Sequence, residues 1–214
     1  MSRAREGILQ RIRGSVSGAP ESRAEEYQAI VRSYARAGTR TGDSLLDLFT
    51  ERLRDYGAEV LRCPEEGVPQ AISQALTARH RRCLLIPGEV PRKWLPSAPF
   101  EFFQDDGLSY EVIDRSEGVL TGCVAAIALT GTIILRHSPA SGRRALTLIP
   151  DYHLCVVSTD QIVETVSEAM GMIAEFRRDP LTTISGPSAT SDIEMTRIKG
   201  VHGPRTLDVI LVNS

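Results

Sequence analysis

The sequence predicts an α/β protein whose mixed, mostly parallel sheet is flanked by helices on both faces, with a helical N-terminal region. Helical spacing of apolar residues dominates the first third of the chain, whereas short apolar runs alternate with helical segments in the last half. The run RCLLIP is continuously apolar and of strand length, which is typical of a strand that is covered on both faces.

Three helices are predicted in the first third by apolar residues at helical spacing. One follows Ser22, which forms a capping-box pattern with Glu25 and precedes an apolar face. The second follows Asp43, and the third covers residues 69–79, with a proline in its first turn. The apolar residues of the first helix are Tyr27, Ile30, Val31 and Tyr34.

The predicted strands are short apolar runs between turn signals. They are AEVLRC, RCLLIP, SYEVI, TIILR, ALTLI, HLCVVS, TTIS and LDVILV. TIILR and ALTLI are joined by HSPASGR, which predicts a hairpin and therefore a mixed sheet. Residues 87–107 are rich in proline and aromatic residues, and we expect an irregular connection with a helical turn there.

Two later helices are predicted by capping-box patterns. The first covers residues 159–177 and begins after Ser158, with Gln161 in the box. The second covers residues 191–199 and is capped by its own first residue. The helices and strands together predict one α/β domain over residues 22–214, after a flexible or helical leader over residues 1–21.

The composition excludes several classes of protein. The 25 basic and 27 acidic residues give a net charge of −2, without the basic excess of nucleic-acid-binding proteins. No window approaches the roughly 18 apolar residues that a membrane span needs. The N-terminus also lacks the apolar core of a signal peptide, so we expect a cytoplasmic protein.

The cysteines and histidines do not form a recognisable metal-binding pattern. Structural zinc and iron–sulfur clusters usually take ligands from closely spaced cysteine pairs. The chain has no such pair and no H-E-x-x-H motif, so the sequence predicts neither a metal nor another cofactor. The four cysteines, which all lie in or beside apolar runs, are Cys63, Cys83, Cys123 and Cys155.

A first candidate site is the turn Thr130-Gly131-Thr132. The glycine permits close backbone approach, and the hydroxyl of Thr132 is suited to a carboxylate or phosphate. Taken alone, these residues favour an ordinary turn at the start of a strand over a binding site.

A second candidate site is the segment SGPSATSDIE, in which Gly186, Pro187 and Ser188 lead from a predicted strand into a predicted helix. Free N–H groups at a helix N-terminus attract anions, and such loops lie at the carboxyl ends of strands in an open α/β sheet. Asp192 is either a helix-capping acid or a group that binds a hydroxyl or accepts a proton.

A third candidate site is G-V-H-G-P-R, in which His202 lies between glycines rather than on an apolar face. A histidine there suits ligand binding or acid–base chemistry, and Arg205 suits a carboxylate. A structural role for His202 stays open. For Arg143 and Arg144, in the proposed hairpin loop, we favour a solvated turn over an anion site, and for His153 a structural role.

The last third of the chain resembles a known family. The segments LTGCVAAIALTGTIILRHSPASGRRALTLIPDYHLCVV and SGPSATSDIEMTRIKGVHGPRTLDVILV are similar to the LUD domain of the lactate utilization protein C family, over residues 118–212. The resemblance implies the fold group shared by CoA transferases, phosphosugar isomerases and formyltetrahydrofolate cyclo-ligases. The family usually places an acid just before the T-G-T turn, where this chain has Leu129, so no catalytic residue is carried over.

The resemblance implies an accessory, non-redox subunit of a lactate utilization system, in which iron–sulfur and cysteine-rich partner proteins take part in oxidising L-lactate to pyruvate. One alternative is a stand-alone enzyme or binding protein for a phosphorylated, CoA-linked or folate-type small molecule. Another is a regulatory or assembly module that binds through its helical N-terminal third. The candidate ligand-binding residues are Gly131, Thr132, Gly186, Pro187, Ser188, Asp192, His202 and Arg205.

Overall fold

A computed structural model describes residues 3–15, 20–138, 141–191, 197–199 and 202–213. The chain divides into two compact units, Met1–Tyr34 and Ala35–Ser214. The first unit contains helices α1 (Arg3–Ser15) and α2 (Pro20–Ala29). The predicted apolar face of α2 is solvent-exposed, and the helix ends before its last three members. None of the described helices is long and apolar enough to cross a membrane.

The second unit contains the remaining helices and all of the described strands. Its helices are α3 (Gly42–Asp55), α4 (Val68–Ala78), α5 (Tyr110–Asp114) and α6 (Val166–Met172). Its strands are β1 (Glu59–Pro64), β2 (Cys83–Ile86), β3 (Glu101–Gln104), β4 (Val119–Thr121), β5 (Ala125–Ile127), β6 (Thr132–Arg136), β7 (Tyr152–Ser158), β8 (Ile162–Val163), β9 (Leu181–Ile184), β10 (Ala189–Ser191), β11 (Arg197–Lys199) and β12 (Thr206–Asn213).

The main sheet has six parallel strands in the order β1-β12-β7-β4-β2-β3, which confirms the predicted α/β class. A second sheet has the order β8-β5-β6-β9 and contains the antiparallel pairs β5–β6 and β6–β9. The sequence predicted a single mixed sheet. The structure instead has a parallel main sheet and a second sheet that contains the antiparallel pairs. β10 and β11 form a separate antiparallel pair.

Helices and the second sheet bury the main sheet from opposite sides. On one face, Ile72 and Leu76 of α4 pack against Leu154 of β7 in a fully apolar cluster. On the other face, Phe49 of α3 and Ile133 of β6 share a cluster with residues of β7 and β12. Burial of such side chains stabilises the fold by about 2 kcal/mol each.

The predicted hairpin between TIILR and ALTLI is wrong. TIILR is β6, but its antiparallel partners are β5 and β9, and Arg144–Thr147 form a 3-10 turn instead of a strand. The strand predicted at SYEVI is also wrong, because this segment is helix α5. The side chain of Ser109 caps that helix by accepting a hydrogen bond from the backbone N–H of Val112.

Both late helix predictions need correction. The box of Ser158 and Gln161 exists, but it starts a 3-10 turn that leads into β8, and α6 starts from a second box between Thr165 and Glu168. The segment predicted as a helix over residues 191–199 contributes to strands β10 and β11 instead, and residues 192–196 lie outside the described part of the chain.

Candidate functional site

The loop after β9 and the loop before β12 enclose a cavity of about 250 Å³, here called the loop cavity. The backbone N–H of Ser188 donates to the carbonyl of Pro204 at 2.8 Å, and the N–H of His202 donates to the hydroxyl of Ser188 at 3.0 Å. These two bonds hold the loops together. The cavity is lined by Arg144, Thr147, His153, Thr182, Thr183, Ile184, Ser185, Gly186, Pro187, Ser188, Ala189, His202, Gly203, Pro204 and Leu207.

The loop cavity lies near the amino ends of the parallel strands, which corrects the expected position. His153 and Leu207, which line it, are the second residues of β7 and β12. The carboxyl-end rule fails here because β9 belongs to the second sheet. The expected helix N-terminus at this loop is absent as well, because strand β10 follows Ser188.

Gly186 allows the loop to turn against helix α3. Its φ angle is +82°, and a Cβ atom at this position would overlap the Cβ of Tyr56, the residue that caps α3. Glycine adopts this backbone conformation without steric cost. The three residues Gly186, Pro187 and Ser188 therefore lie together at the cavity, with His202 across from them.

Thr132 and Gly131 support the cavity from behind its wall. The hydroxyl of Thr132 is buried and lies 2.8 Å from the hydroxyl of Ser185, which lines the cavity, and 2.7 Å from that of Thr130. Gly131 has a φ of +56°, and a Cβ there would lie 2.8 Å from the Cβ of Arg52 on α3. The turn thus positions Ser185 through Thr132 and packs on a helix through Gly131.

One candidate lies away from the cavity, and another lies outside the described residues. The guanidinium of Arg205 donates to the carboxylate of Asp151 on the exposed surface, and Arg205 is not part of the cavity wall. Asp192 lies outside the described residues.

His153 is a cavity residue to which the sequence assigned only a structural role. Its ring is buried, and Nε2 lies 2.8 Å from the hydroxyl of Thr121. Nδ1 is buried without a hydrogen-bond partner among the described residues. Burial, helped by the positive charge of Arg144, lowers the pKa of His153 to about 4. The imidazole is therefore neutral at pH 7, and one of its nitrogens is unsatisfied.

Arg144 brings a positive charge to the same cavity. Its Nη1 donates to the carbonyl and the hydroxyl of Thr147, at 3.1 Å each. Within the described ranges, no carboxylate lies within ion-pair distance of this partly buried guanidinium. Burial lowers its pKa, but an arginine stays protonated in proteins. The neighbouring Arg143 differs, because it is paired with the buried Asp105.

A second cavity of about 220 Å³, here called the strand-end cavity, lies at the carboxyl ends of β2, β4 and β7. Trp94, Gly122 and Cys123 line it, and Thr147 lies in the wall that it shares with the loop cavity. A hydrogen bond with Cys155 and burial raise the pKa of Cys123, so its thiol stays protonated.

In the parts of the chain that the structure describes, no group of three or more acidic, histidine or cysteine side chains is arranged to hold a metal ion. The polar groups of the loop cavity suit a small anion better, because they combine a cation with neutral hydrogen-bonding groups.

Comparisons with known proteins point to one family. The model of the LUD domain matches residues 109–212. A lactate utilization protein C from Deinococcus radiodurans is 47% identical over 170 residues, which cover 78% of this chain and 79% of that protein. Another, from Exiguobacterium, is 26% identical and covers 80% of this chain and 79% of its own length.

A solved structure is similar to this chain as well. The crystal structure of a DUF162 family protein from Deinococcus radiodurans has a TM-score of 0.70 and 40% sequence identity to this chain. The match covers 81% of this chain and 99% of that one. The two proteins are therefore similar in sequence as well as in fold.

Proposed function

Since the chain belongs to the LUD-domain family of lactate utilization protein C, we propose that it takes part in lactate utilization as an accessory subunit that binds a small anion. The observation that carries this proposal is the loop cavity. It combines Arg144, a cation with no described carboxylate partner, with His153, a buried neutral imidazole with an unsatisfied nitrogen. Both features favour an anionic ligand with further polar atoms.

The size of the loop cavity favours a small ligand. Its volume of about 250 Å³ lies below the range of roughly 300–1,000 Å³ that is typical of pockets for drug-sized molecules. A carboxylate of a few carbon atoms fits this space, whereas CoA or a folate would extend far beyond it. The cavity therefore supports a metabolite of the size of lactate over the larger ligands of the alternative.

Electron transfer is assigned to partner proteins in this proposal. The four cysteines are dispersed along the sequence without a closely spaced pair, whereas iron–sulfur clusters are usually held by such pairs. We therefore propose that cysteine-rich and iron–sulfur proteins oxidise L-lactate to pyruvate and that this subunit binds beside them.

Leu129 bears on whether the subunit itself turns over a substrate. It occupies the place before the T-G-T turn where the family usually has an acid, and its side chain is 44% exposed. Its backbone N–H donates to the carbonyl of Glu164 at 3.1 Å, so the turn is formed without that acid. The proposal accordingly assigns binding residues and no catalytic one.

Deletion of the gene tests the proposed role. The deletion strain should grow slowly with L-lactate as the carbon source and normally with glucose, and the wild-type gene should restore growth. Co-purification of a tagged chain from lactate-grown cells should recover iron-containing proteins. Normal growth of the deletion strain on lactate would contradict the proposal.

Ligand binding by the purified chain is a separate test. A ligand at about 100 times its dissociation constant stabilises the folded state by about 2.7 kcal/mol, which raises the unfolding temperature. We expect this shift with small carboxylates and not with CoA, a sugar phosphate or a folate. A shift with one of the larger molecules alone would favour the stand-alone enzyme instead.

A further inference from the structure

We propose that the loop cavity selects a 2-hydroxy carboxylate, with Arg144 binding the carboxylate group and Nδ1 of His153 accepting a hydrogen bond from the adjacent hydroxyl. This inference rests on the proposed function and makes it more specific. It assigns the choice of ligand to two residues for which the sequence favoured a solvated turn and a structural role, respectively.

Arg144 supplies the charge that a carboxylate needs. Only Nη1 of its guanidinium has a partner among the hydrogen bonds of the described residues, and both bonds go to Thr147. The remaining N–H groups keep the forked geometry that suits a carboxylate. Thr147 holds the guanidinium in the wall of the cavity, so little side-chain freedom is lost on binding.

The inference requires the tautomer of His153 that carries its proton on Nε2. The hydroxyl of Thr121 is a donor to the sulfur of Cys155 at 3.8 Å, and it lies 2.8 Å from Nε2 of His153. If the hydroxyl of Thr121 donates to the sulfur of Cys155, then Nε2 of His153 must donate to the oxygen of that hydroxyl. The neutral ring then has its lone pair on Nδ1, which is the nitrogen that has no partner.

A lone pair on Nδ1 discriminates between ligands of similar size. A ligand hydroxyl next to the carboxylate donates a hydrogen bond to this lone pair. A keto oxygen in the same place has no proton to donate, and its lone pairs would repel the lone pair of Nδ1. A carboxylate without either group leaves Nδ1 buried and unsatisfied. The cavity should therefore prefer a 2-hydroxy acid to both the 2-oxo acid and the unsubstituted acid.

Three ligands with the same carbon skeleton test this order. The dissociation constants of L-lactate, pyruvate and propionate are measured by calorimetry with the purified full chain. We expect L-lactate to bind about tenfold more tightly than propionate, because one buried hydrogen bond distinguishes them. Pyruvate should bind no more tightly than propionate. Equal affinity for lactate and propionate, or tighter binding of pyruvate, would overturn the inference.

Matched substitutions assign the two roles. Arg144→Gln should weaken lactate and propionate alike by about tenfold or more, since a charged hydrogen bond is lost. Arg115→Gln removes an exposed arginine that lines neither cavity and should leave both affinities unchanged. An equal effect of both substitutions would indicate attraction by the overall charge and contradict a specific role of Arg144.

Substitution of His153 by glutamine or by asparagine distinguishes the roles of the two ring nitrogens. Glutamine reaches the position of Nε2, beside Thr121, and has no polar group near Nδ1. Asparagine has its amide near Nδ1 and does not reach Thr121. His153→Gln should therefore abolish the preference for lactate over propionate, and His153→Asn should retain part of it. The opposite pattern would overturn the assignment of Nδ1.

Nitrogen NMR of the imidazole keeps the inference testable if neither variant folds. In the wild-type chain, Nε2 of His153 should show the chemical shift of a protonated nitrogen and Nδ1 that of a bare one. Lactate should shift Nδ1, and propionate should not. A proton on Nδ1 in the unliganded protein would contradict the inference.

These results are independent of the growth test. If lactate binds as described but the deletion strain grows normally on lactate, the selectivity of the cavity stands and the metabolic role fails. If growth is lost but the three acids bind alike or not at all, the metabolic role stands and the selectivity fails.

Discussion

The guanidinium of Arg79 donates twice to the carboxylate of Asp208, with Nε at 3.0 Å from one oxygen and Nη2 at 2.7 Å from the other. The hydroxyl of Tyr152 donates to the same carboxylate at 3.0 Å. Arg79 directly follows α4, while Tyr152 and Asp208 lie at the starts of β7 and β12. One buried charge thus fixes the end of a helix to two neighbouring strands of the main sheet.

Arg79→Met should destabilise the chain more than Asp208→Asn. Loss of the arginine leaves a buried carboxylate without its counter-charge, which costs about 3 kcal/mol or more. Asparagine at 208 keeps an acceptor, and the freed guanidinium is a third exposed, so about 1–2 kcal/mol is expected. Urea unfolding followed by circular dichroism measures both values. Arg115→Met is the control, and an equal cost of all three substitutions would contradict the prediction.

Glu164 should make the attachment of residues 39–40 sensitive to acid. Its carboxylate accepts from the backbone N–H groups of Thr39 and Arg40 and from the Arg40 side chain. The N–H bond from Arg40, followed by that from Thr39, lowers the pKa of Glu164. A carboxyl group with a lowered pKa stabilises the fold above its unfolded value of about 4.3, and this contribution is lost as the pH falls below that value.

Hydrogen exchange checks the role of Glu164. The amides of Thr39 and Arg40 should exchange slowly near neutral pH and lose protection below about pH 4.3. Glu164→Gln should remove the protection at neutral pH, and Glu175→Gln, at an exposed glutamate, should not. Protection that is unchanged in Glu164→Gln would show that other contacts hold the segment.

The neutral imidazole of His153 should reduce stability as the pH falls from 6.5 toward 4. Its pKa is lowered from 6.5 to about 4, so the unfolded chain takes up a proton in this range and the folded chain does not. The full decrease in the free energy of unfolding from this single group is about 3 kcal/mol. Urea unfolding at pH 7.5, 5.5 and 4.5 should show a smaller loss in His153→Gln. Parallel pH profiles of the wild type and the variant would contradict the prediction.

Gly186→Ala should disturb the loop cavity and its support. The added methyl group would overlap Tyr56, and the φ of +82° is unfavourable for alanine, so we expect a cost of about 1–3 kcal/mol. Gly171 lies in α6 with open space around it, so Gly171→Ala should instead stabilise the chain by about 0.5–1 kcal/mol. The unfolding temperature should fall in Gly186→Ala and rise in Gly171→Ala. A Gly186→Ala chain as stable as the wild type would show that the loop can move.

The main sheet was predictable where burial alone decides the structure. RCLLIP, HLCVVS and LDVILV predicted β2, β7 and β12, because central parallel strands are covered on both faces and therefore read as continuous apolar runs. The helix signals around Asp43 and Pro69 were equally reliable, since α3 and α4 each bury one apolar face.

Local signals failed where two of them compete within a few residues. The box at Ser158 and the box at Thr165 lie in one predicted helix, but each starts its own element, with β8 between them. The alternation in SYEVI suggested a strand, while the cap by Ser109 started α5. Periodicity counts apolar residues and does not show which backbone N–H groups a side chain will satisfy.

The central residue of the site was not predictable from the chain alone. His202 and Ser188 were recognisable because they lie in glycine-containing loops, and the structure brings them within one hydrogen bond. His153 opens an apolar strand, which favours a satisfied core histidine. Its unsatisfied nitrogen arises because Thr121, in a neighbouring strand, occupies the other one. Such a relationship depends on tertiary packing and has no signature in a single sequence.

The position of β12 between β1 and β7 has a consequence for biosynthesis. β1 pairs with β12 and has no other partner among the described strands of the main sheet. Both β1 and β7 form backbone hydrogen bonds with residues 206–213. During translation, the edges of these two strands therefore remain unpaired until that late segment has left the ribosome. A nascent or prematurely terminated chain would expose these edges to other polypeptides, and it would depend on chaperones until the sheet closes.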